Sequence, residues 1–457
     1  MTFDARRAYA TEIVARLRSE GFEAYWAGGC VRDFLLGIGP SDYDVATDAR
    51  PEQVMTMFRR TCAVGASFGV VRVLGNAASG DVEVATFRSD GVYLDGRRPE
   101  SVTYSTAEFD ASRRDFTING MFYDPVDARV IDFVGGRADL DAGILRAIGD
   151  PSARFTEDRL RLLRAVRFAA RFKLAIEPET RRAIDAMAGE VTGVSAERIA
   201  KELRRMIVDP SRVMAMNLAY ETGLVAAILP QLMPLKHWRV RDPVVPDGDL
   251  WDRTMRTLAE LPASPSFPLA FAALVRDTAL PESATDHERR GSEIARSLAG
   301  SLKLANAERD AVVWLIESHH ALDDPSQLAQ SRLKRILASR GVHDLLELVR
   351  AEAMATTGET SHVDFCEAYL RDEPAGPINP PPLLTGHDLV KHGLAPGPRF
   401  AILLDQVRDA QLDRIILTRD EALAFVDRIN RTGLEVESPL ARRDDLGDTG
   451  RLSEPQP

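Results

Sequence analysis

The sequence predicts an α+β chain in which a mixed-sheet N-terminal head is followed by an all-α neck, body and tail. Segments rich in β-formers, Gly69-Val70-Val71-Arg72-Val73-Leu74, Asp81-Val82-Glu83-Val84-Ala85-Thr86-Phe87 and Val130-Ile131-Asp132-Phe133-Val134, lie early in the chain and end at Gly and Asn turns. From about residue 150 the apolar residues recur with helical period instead. Pro and Gly clusters at 229–248, 261–268 and 373–386 then punctuate the helical part. These breaks give a head over 1–148, a neck over 149–235, a body over 236–372 and a tail over 373–435. The polar stretch 436–457 lacks periodicity and is expected to be disordered.

A chain of 457 residues is too long for one core. It has no apolar run of about 18 residues, so no membrane span is expected. The N-terminal MTFDARRAYATEIVARLR reads as an amphipathic helix and lacks the apolar centre of a secretion leader. Cys30, Cys62 and Cys366 are too scattered for a disulfide framework or a zinc site. A reduced, cytoplasmic protein is the expectation. The net charge of −11 argues against a broad nucleic-acid surface but permits a local one. The densest basic run, Arg154, Arg159, Arg161, Arg164, Arg167, Arg171 and Lys173, is where a salt-sensitive binding stripe is expected.

Chemistry concentrates between Ala24 and Asp48. A short apolar strand runs into Gly28-Gly29, a helix follows from Val31 to Leu36, and Asp42-Tyr43-Asp44 comes next. Paired glycines at a helix mouth let the backbone approach a phosphate, and the helix N-terminus favours negative charge there. Two aspartates one residue apart on a strand project to the same face. Such a pair ionises side by side readily only with a cation, and hard divalent ions such as Mg²⁺ take carboxylate and triphosphate oxygens. Either feature alone is ordinarily a turn or a solvated surface pair. Together, and with Arg32 and Asp33 between them, they point to nucleotidyl transfer. Glu83, on a nearby β segment, is a third candidate carboxylate.

Three further motifs follow in order: Arg113-Arg114-Asp115-Phe116-Thr117-Ile118-Asn119, the run Glu157-Asp158-Arg159-Leu160-Arg161 to Phe168, and Ser195-Ala196-Glu197-Arg198-Ile199 with Glu202-Leu203. With the opening segment they resemble the bacterial class II CCA tRNA nucleotidyltransferase and poly(A) polymerase family, within the polymerase-β-like superfamily. The resemblance covers roughly residues 20–232 well and the rest more loosely. It implies a nucleotidyltransferase head in which Asp42 and Asp44 hold the catalytic Mg²⁺, two ions in the two-metal scheme, with Mn²⁺ as an alternative. It also implies that Gly28, Gly29 and Arg32 bind the triphosphate, and that Arg113 and Asp115 contact the incoming nucleotide, the carboxylate on a ribose hydroxyl. Asp158 and Arg161 would act as a protein template. A carboxylate accepts from the exocyclic amine of cytosine or adenine while a guanidinium donates to ring acceptors, a pattern that uracil and guanine do not match. Arg164 and Arg167 would contact the nucleotide from the same helix, and Glu197, Arg198 and Lys201 would bind RNA. At about 100° per residue, Asp158, Arg161, Arg164 and Arg167 share one half of a helix, with Leu162, Leu163, Val166, Ala169 and Ala170 on the other.

The segment Phe87 to Pro99 resembles the family's flexible loop, with Asp90, Tyr93, Arg97 and Arg98 as its candidate residues. Its length favours CCA-adding or A-adding chemistry over CC-adding. Asn119-Gly120-Met121-Phe122-Tyr123 departs from the small-residue pattern of CCA enzymes and keeps poly(A) polymerase as an alternative. Residues 250–355 resemble an HD-type phosphohydrolase in which Arg253 and Arg276 stand at metal-binding histidine positions, while Asp277, His287 and His319 remain. Arginine has no lone pair to offer a cation, so a degenerate, inactive domain is expected. Around Gly386-His387-Asp388-Leu389 the chain resembles the tail that holds the tRNA elbow. The implied partners are the tRNA 3′ end, ATP and CTP, with no membrane and no DNA. An inactive RNA-binding protein is disfavoured, because every catalytic carboxylate is present.

Overall fold

The computed structural model describes residues 2–63, 69–90, 102–239, 248–280, 286–372 and 377–432. Helix α1 (Thr2–Ser19) buries Ala10, Ile13, Val14 and Leu17, whose spacing makes one apolar face. That face packs on β1 (Ala24–Ala27) and β2 (Asp44–Thr47). Strands β3 (Thr61–Cys62), β4 (Val70–Val73) and β5 (Val82–Thr86) extend the sheet on one side of β2. Strands β6 (Arg88–Asp90) and β7 (Val102–Tyr104) form a separate antiparallel ribbon, and β8 (Phe122–Asp124) and β9 (Arg129–Ile131) complete the sheet beyond β1. The order is β3-β4-β5-β2-β1-β8-β9, with β2 and β5 parallel and the other neighbours antiparallel. The mixed sheet is therefore the expected one. Among the described residues, no helix is long and apolar enough to cross a membrane.

Two compact units emerge, residues 1–316 and 317–457. In the first, α2 (Gly29–Leu35) follows β1 through Gly28, whose φ of 74° suits glycine. The region expected to form the neck contains α3 (Pro151–Glu157), α4 (Leu160–Phe172) and α5 (Ala196–Ile207), and α4 packs on α5. In the second unit, Leu384, Leu389, Leu403, Val407 and Val426 form part of one core beneath the tail helices. The polar stretch 436–457 lies outside the described residues.

Two local expectations change. Asp42 lies in the bend before β2, so only Asp44 belongs to the strand. The neck motif is also not one helix: α3 ends at Glu157, and Asp158 is extended, with φ −147° and ψ 101°. Its carboxylate accepts from the Leu160 amide at 3.1 Å, a local turn that competes with helix and starts α4 afresh.

Candidate active site

A cavity of about 1060 Å³ is walled by the start of α2, the approach to β2, the Arg113–Asn119 segment and one face of α4. Gly28, Gly29, Arg32, Asp42, Asp44, Arg113, Asp115, Asp158, Arg161, Arg164 and Arg167 all line it. Segments more than a hundred residues apart in sequence thus meet at one site.

Gly28 has a second reason to be glycine. A Cβ there would lie 2.7 Å from Arg114 Nη1. Arg114 donates to Asp110 at 2.8 Å and sits over the Phe122 ring, 5.1 Å from its centroid. Arg32 is buried; it donates to Asp33 at 2.6 and 2.9 Å and to the Asn119 side chain at 2.5 Å. Its guanidinium also lies 4.2 Å from the Phe172 ring centroid. Burial lowers its pKa, opposed by Asp33.

Asp44 faces Glu83 in the parallel β2–β5 register. Solvent reaches its carboxylate through the cavity, yet the surrounding protein desolvates it. Desolvation first, then the charges of Glu83 and Asp42, push its pKa up to about 6 despite the lowering effect of Arg114. Glu83 itself accepts from Arg72 at 3.2 Å. Asp44 therefore sits in excess negative charge, the environment a hard divalent cation neutralises. The residues present fit such an ion. Asp42 and Asp44 are the ones that would hold it, with Glu83 acting on Asp44 from the adjacent strand.

The second wall is a lattice of acid–guanidinium pairs. Asp115 accepts from Arg164 at 2.5 and 2.9 Å and from the Asn119 amide at 3.0 Å. Desolvation works to raise its pKa, but Arg164 and Asn119 override it and hold the group at about 2. Arg161 donates to Glu157 at 2.6 Å and to the Arg154 carbonyl at 2.8 Å. Asp158 accepts from Arg198 of α5 at 2.7 Å. Arg167 donates to Glu202 of α5 at 2.6 Å, both side chains buried, and burial lowers the Arg167 pKa to about 10. The basic run is therefore not a bare stripe: Arg159 also pairs, with Glu190 at 3.0 Å.

Of the RNA-binding candidates, Glu197 pairs with Lys303 at 3.0 Å, Lys201 is exposed, and Arg198 is engaged by Asp158. Asp90 closes β6; Tyr93, Arg97 and Arg98 lie outside the described residues. Arg171 of the basic run lines the cavity too, as do Arg114 and Asn119, to which the sequence assigns no role. Arg114 and Asn119 stand in the quoted Arg113 motif, but the partner that gives Asn119 its role, Arg32, is 87 residues away. In the body, Arg253 donates to Asp277 at 2.9 Å, and the buried Arg276 lies 3.4 Å from the same carboxylate. Guanidinium groups thus meet Asp277 where the resemblance would have put a metal.

The mixed sheet with its carboxylate-lined cavity defines the nucleotidyltransferase head class, and the Poly A polymerase head domain family matches residues 24–146. Residues 173–236 match the family described as the probable RNA and SrmB-binding site of polymerase A. A CCA-adding enzyme of Lactobacillus johnsonii is 30% identical over 92% of this chain and 97% of its own length. The chain belongs to the CCA-adding enzyme family. A CCA-adding enzyme of Geobacillus thermodenitrificans is 40% identical over 50% of this chain, and the match spans 56% of that relative's length. The crystal structure of the Bacillus stearothermophilus CCA-adding enzyme in complex with CTP superposes with a TM-score of 0.73 at 28% identity, covering 93% of this chain and 97% of that one. Nucleotidyltransferases of this family use divalent metals.

Proposed function

We propose that the protein is a cytoplasmic CCA-adding tRNA nucleotidyltransferase, which adds CMP and AMP from CTP and ATP to the tRNA 3′ end without a nucleic-acid template. The observation that carries this reading is the fixed pair Asp158 and Arg161, each held by its own partner in the cavity that also contains Asp42 and Asp44.

In the reaction the terminal 3′-oxygen of tRNA bonds to the α-phosphorus of the nucleotide as the bond to the β-phosphate bridge breaks, releasing pyrophosphate. Bound Mg²⁺, two ions in the proposed scheme with Mn²⁺ as a substitute, would favour the deprotonated hydroxyl and neutralise triphosphate charge. Asp42 and Asp44 hold that charge in place. Backbone at Gly28-Gly29 and the Arg32 guanidinium receive the triphosphate. Asp115, saturated by Arg164 and Asn119, is a rigid acceptor for a ribose hydroxyl. Asp158 accepts the exocyclic amine of cytosine or adenine, and Arg161 donates to the ring acceptor. Uracil and guanine turn a carbonyl toward the carboxylate and leave both side chains without a base partner, a costly mismatch in a confined site. Arg164 and Arg167 brace this wall. Neck, body and tail would bind tRNA through its shape and phosphates. The body, with Arg253 and Arg276 on Asp277, serves as scaffold and not as a phosphohydrolase.

The match of the head to the Poly A polymerase head domain family supports a second reading, a poly(A) polymerase. Incubation with tRNA lacking CCA, tRNA lacking only the final A, and oligo(A), each with CTP and ATP, separates the two. Repair to CCA and arrest is expected. Long oligo(A) tails would establish the second reading, and use of ATP alone would indicate an A-adding enzyme. Asp42→Ala should abolish incorporation while tRNA binding persists; undiminished turnover would refute its metal-holding role.

A further inference from the structure

A group of metal-binding side chains outside the cavity lies wholly within the second unit. The helix Asn306–Ser318 passes into a short 3₁₀ turn, His319–Leu322, which packs on the helix Val342–Thr356. Each of His319, His320 and Glu352 offers one ligand atom there, and the three atoms lie within 4.8 Å of one another. We propose that His319, His320 and Glu352 form a binding site for one divalent transition-metal ion of the Zn²⁺ class.

Distance is the first argument. An ion about 2.0–2.2 Å from each ligand in a tetrahedral site needs ligand atoms about 3.3 Å apart. Side-chain adjustments of roughly an ångström close the difference, and Glu352 is long enough to supply them. Geometry is the second. Adjacent residues normally point their side chains apart, but the two imidazole rings have centroids only 3.9 Å apart, inclined at 39°. A carboxylate also supports His320 from outside the group. His320 Nδ1 is 3.1 Å from Asp323 Oδ2. With the Nδ1 proton donated to that carboxylate, the lone pair resides on Nε2, the arrangement by which a carboxylate fixes a metal-binding histidine. Burial of His319 limits the motion that would disperse the group.

Ligand type sets the metal class. Two imidazoles and one carboxylate favour Zn²⁺ and its first-row neighbours over Mg²⁺, while the all-oxygen set at Asp42 and Asp44 has the opposite preference. Three protein ligands leave at least one position for water. The site takes only His319 from the phosphohydrolase resemblance and uses none of Arg253, Arg276 or Asp277, and it does not rest on the transferase reading.

The test uses the full-length protein, stripped with a chelator and dialysed, then titrated with ZnCl₂ in excess MgCl₂ and assayed by elemental analysis after gel filtration. One Zn²⁺ per chain is expected. Glu352→Gln, which keeps the shape, and His320→Ala, which spares buried His319, should each weaken binding by about tenfold or more. Asp42→Asn should leave Zn²⁺ affinity unchanged. Substitution with Co²⁺ should give visible absorption bands that Glu352→Gln alters. A wild-type chain that retains no stoichiometric Zn²⁺ overturns the proposal. So does equal Zn²⁺ binding by wild type, Glu352→Gln and His320→Ala, which would locate the ion elsewhere.

Discussion

Asp44 and Asp115 line one cavity, yet their carboxyls titrate at about 6 and about 2. Both are desolvated, which alone would raise both. The difference lies in what faces each: Glu83 and Asp42 crowd Asp44, whereas Arg164 and Asn119 satisfy Asp115. The two environments suit the opposite roles proposed for them, a cation holder and a fixed acceptor. Without metal, folded Asp44 keeps its proton up to about pH 6, while the unfolded chain releases it near the ordinary 3.8. The folded state then binds more protons between those values, so its stability falls as pH rises through that window. Asp44→Asn should flatten this decline and raise the melting temperature at pH 7 in a chelator-containing buffer. Thermal melts across the window would show it, and coincident pH profiles for the two proteins would contradict it. A saturating divalent ion should reverse the penalty, because it replaces the proton.

At the scale of elements, α4 departs most from its sequence pattern. The periodicity divides it into an apolar and a basic half, as in a surface helix. Leu162, Leu163, Val166, Ala169 and Ala170 are indeed buried, but Arg161 and Arg167 are buried too. The basic half faces the cavity and α5, where Arg167 meets Glu202. Periodicity reports which residues share a face, not what covers that face. Cutting this buried pair with Glu202→Ala should cost about 3–5 kcal/mol, since the guanidinium stays buried without its partner. Replacing both, Arg167→Met with Glu202→Leu, should recover most of the loss in urea denaturation yet weaken nucleotide binding. If the single variant is as stable as wild type, the pair is not a clamp. The break at Asp158 belongs to this scale as well. The periodicity of that run predicts a continuous helix, but one aspartate capping its own backbone ends it and leaves the other carboxylate oxygen to Arg198.

Across the whole molecule, charge follows the same logic. The net −11 and the dense arginine run look contradictory until the partners are seen: Glu157, Asp115, Glu190 and Glu202 take up much of the run's positive charge. Two compact units, 1–316 and 317–457, also predict departure from two-state unfolding. Scanning calorimetry should give a calorimetric enthalpy above the van 't Hoff value, and a ratio of one would mean that the units melt as a single body.

The sequence by itself determined the mixed-sheet head, the helical remainder and the Gly28-Gly29 turn. Short-range rules govern these features: alternation, helical period, and the freedom of glycine at a helix mouth. Only the tertiary structure decided that Asn119 fixes Arg32, that Arg198 fixes Asp158, that Glu83 raises Asp44 across a parallel register, and that His319 and His320 meet Glu352. Each of those relations joins residues 32 to 87 positions apart, or couples charges through a shared low-dielectric wall. No local pattern encodes such a pairing, because its energy exists only once the chain has closed around it.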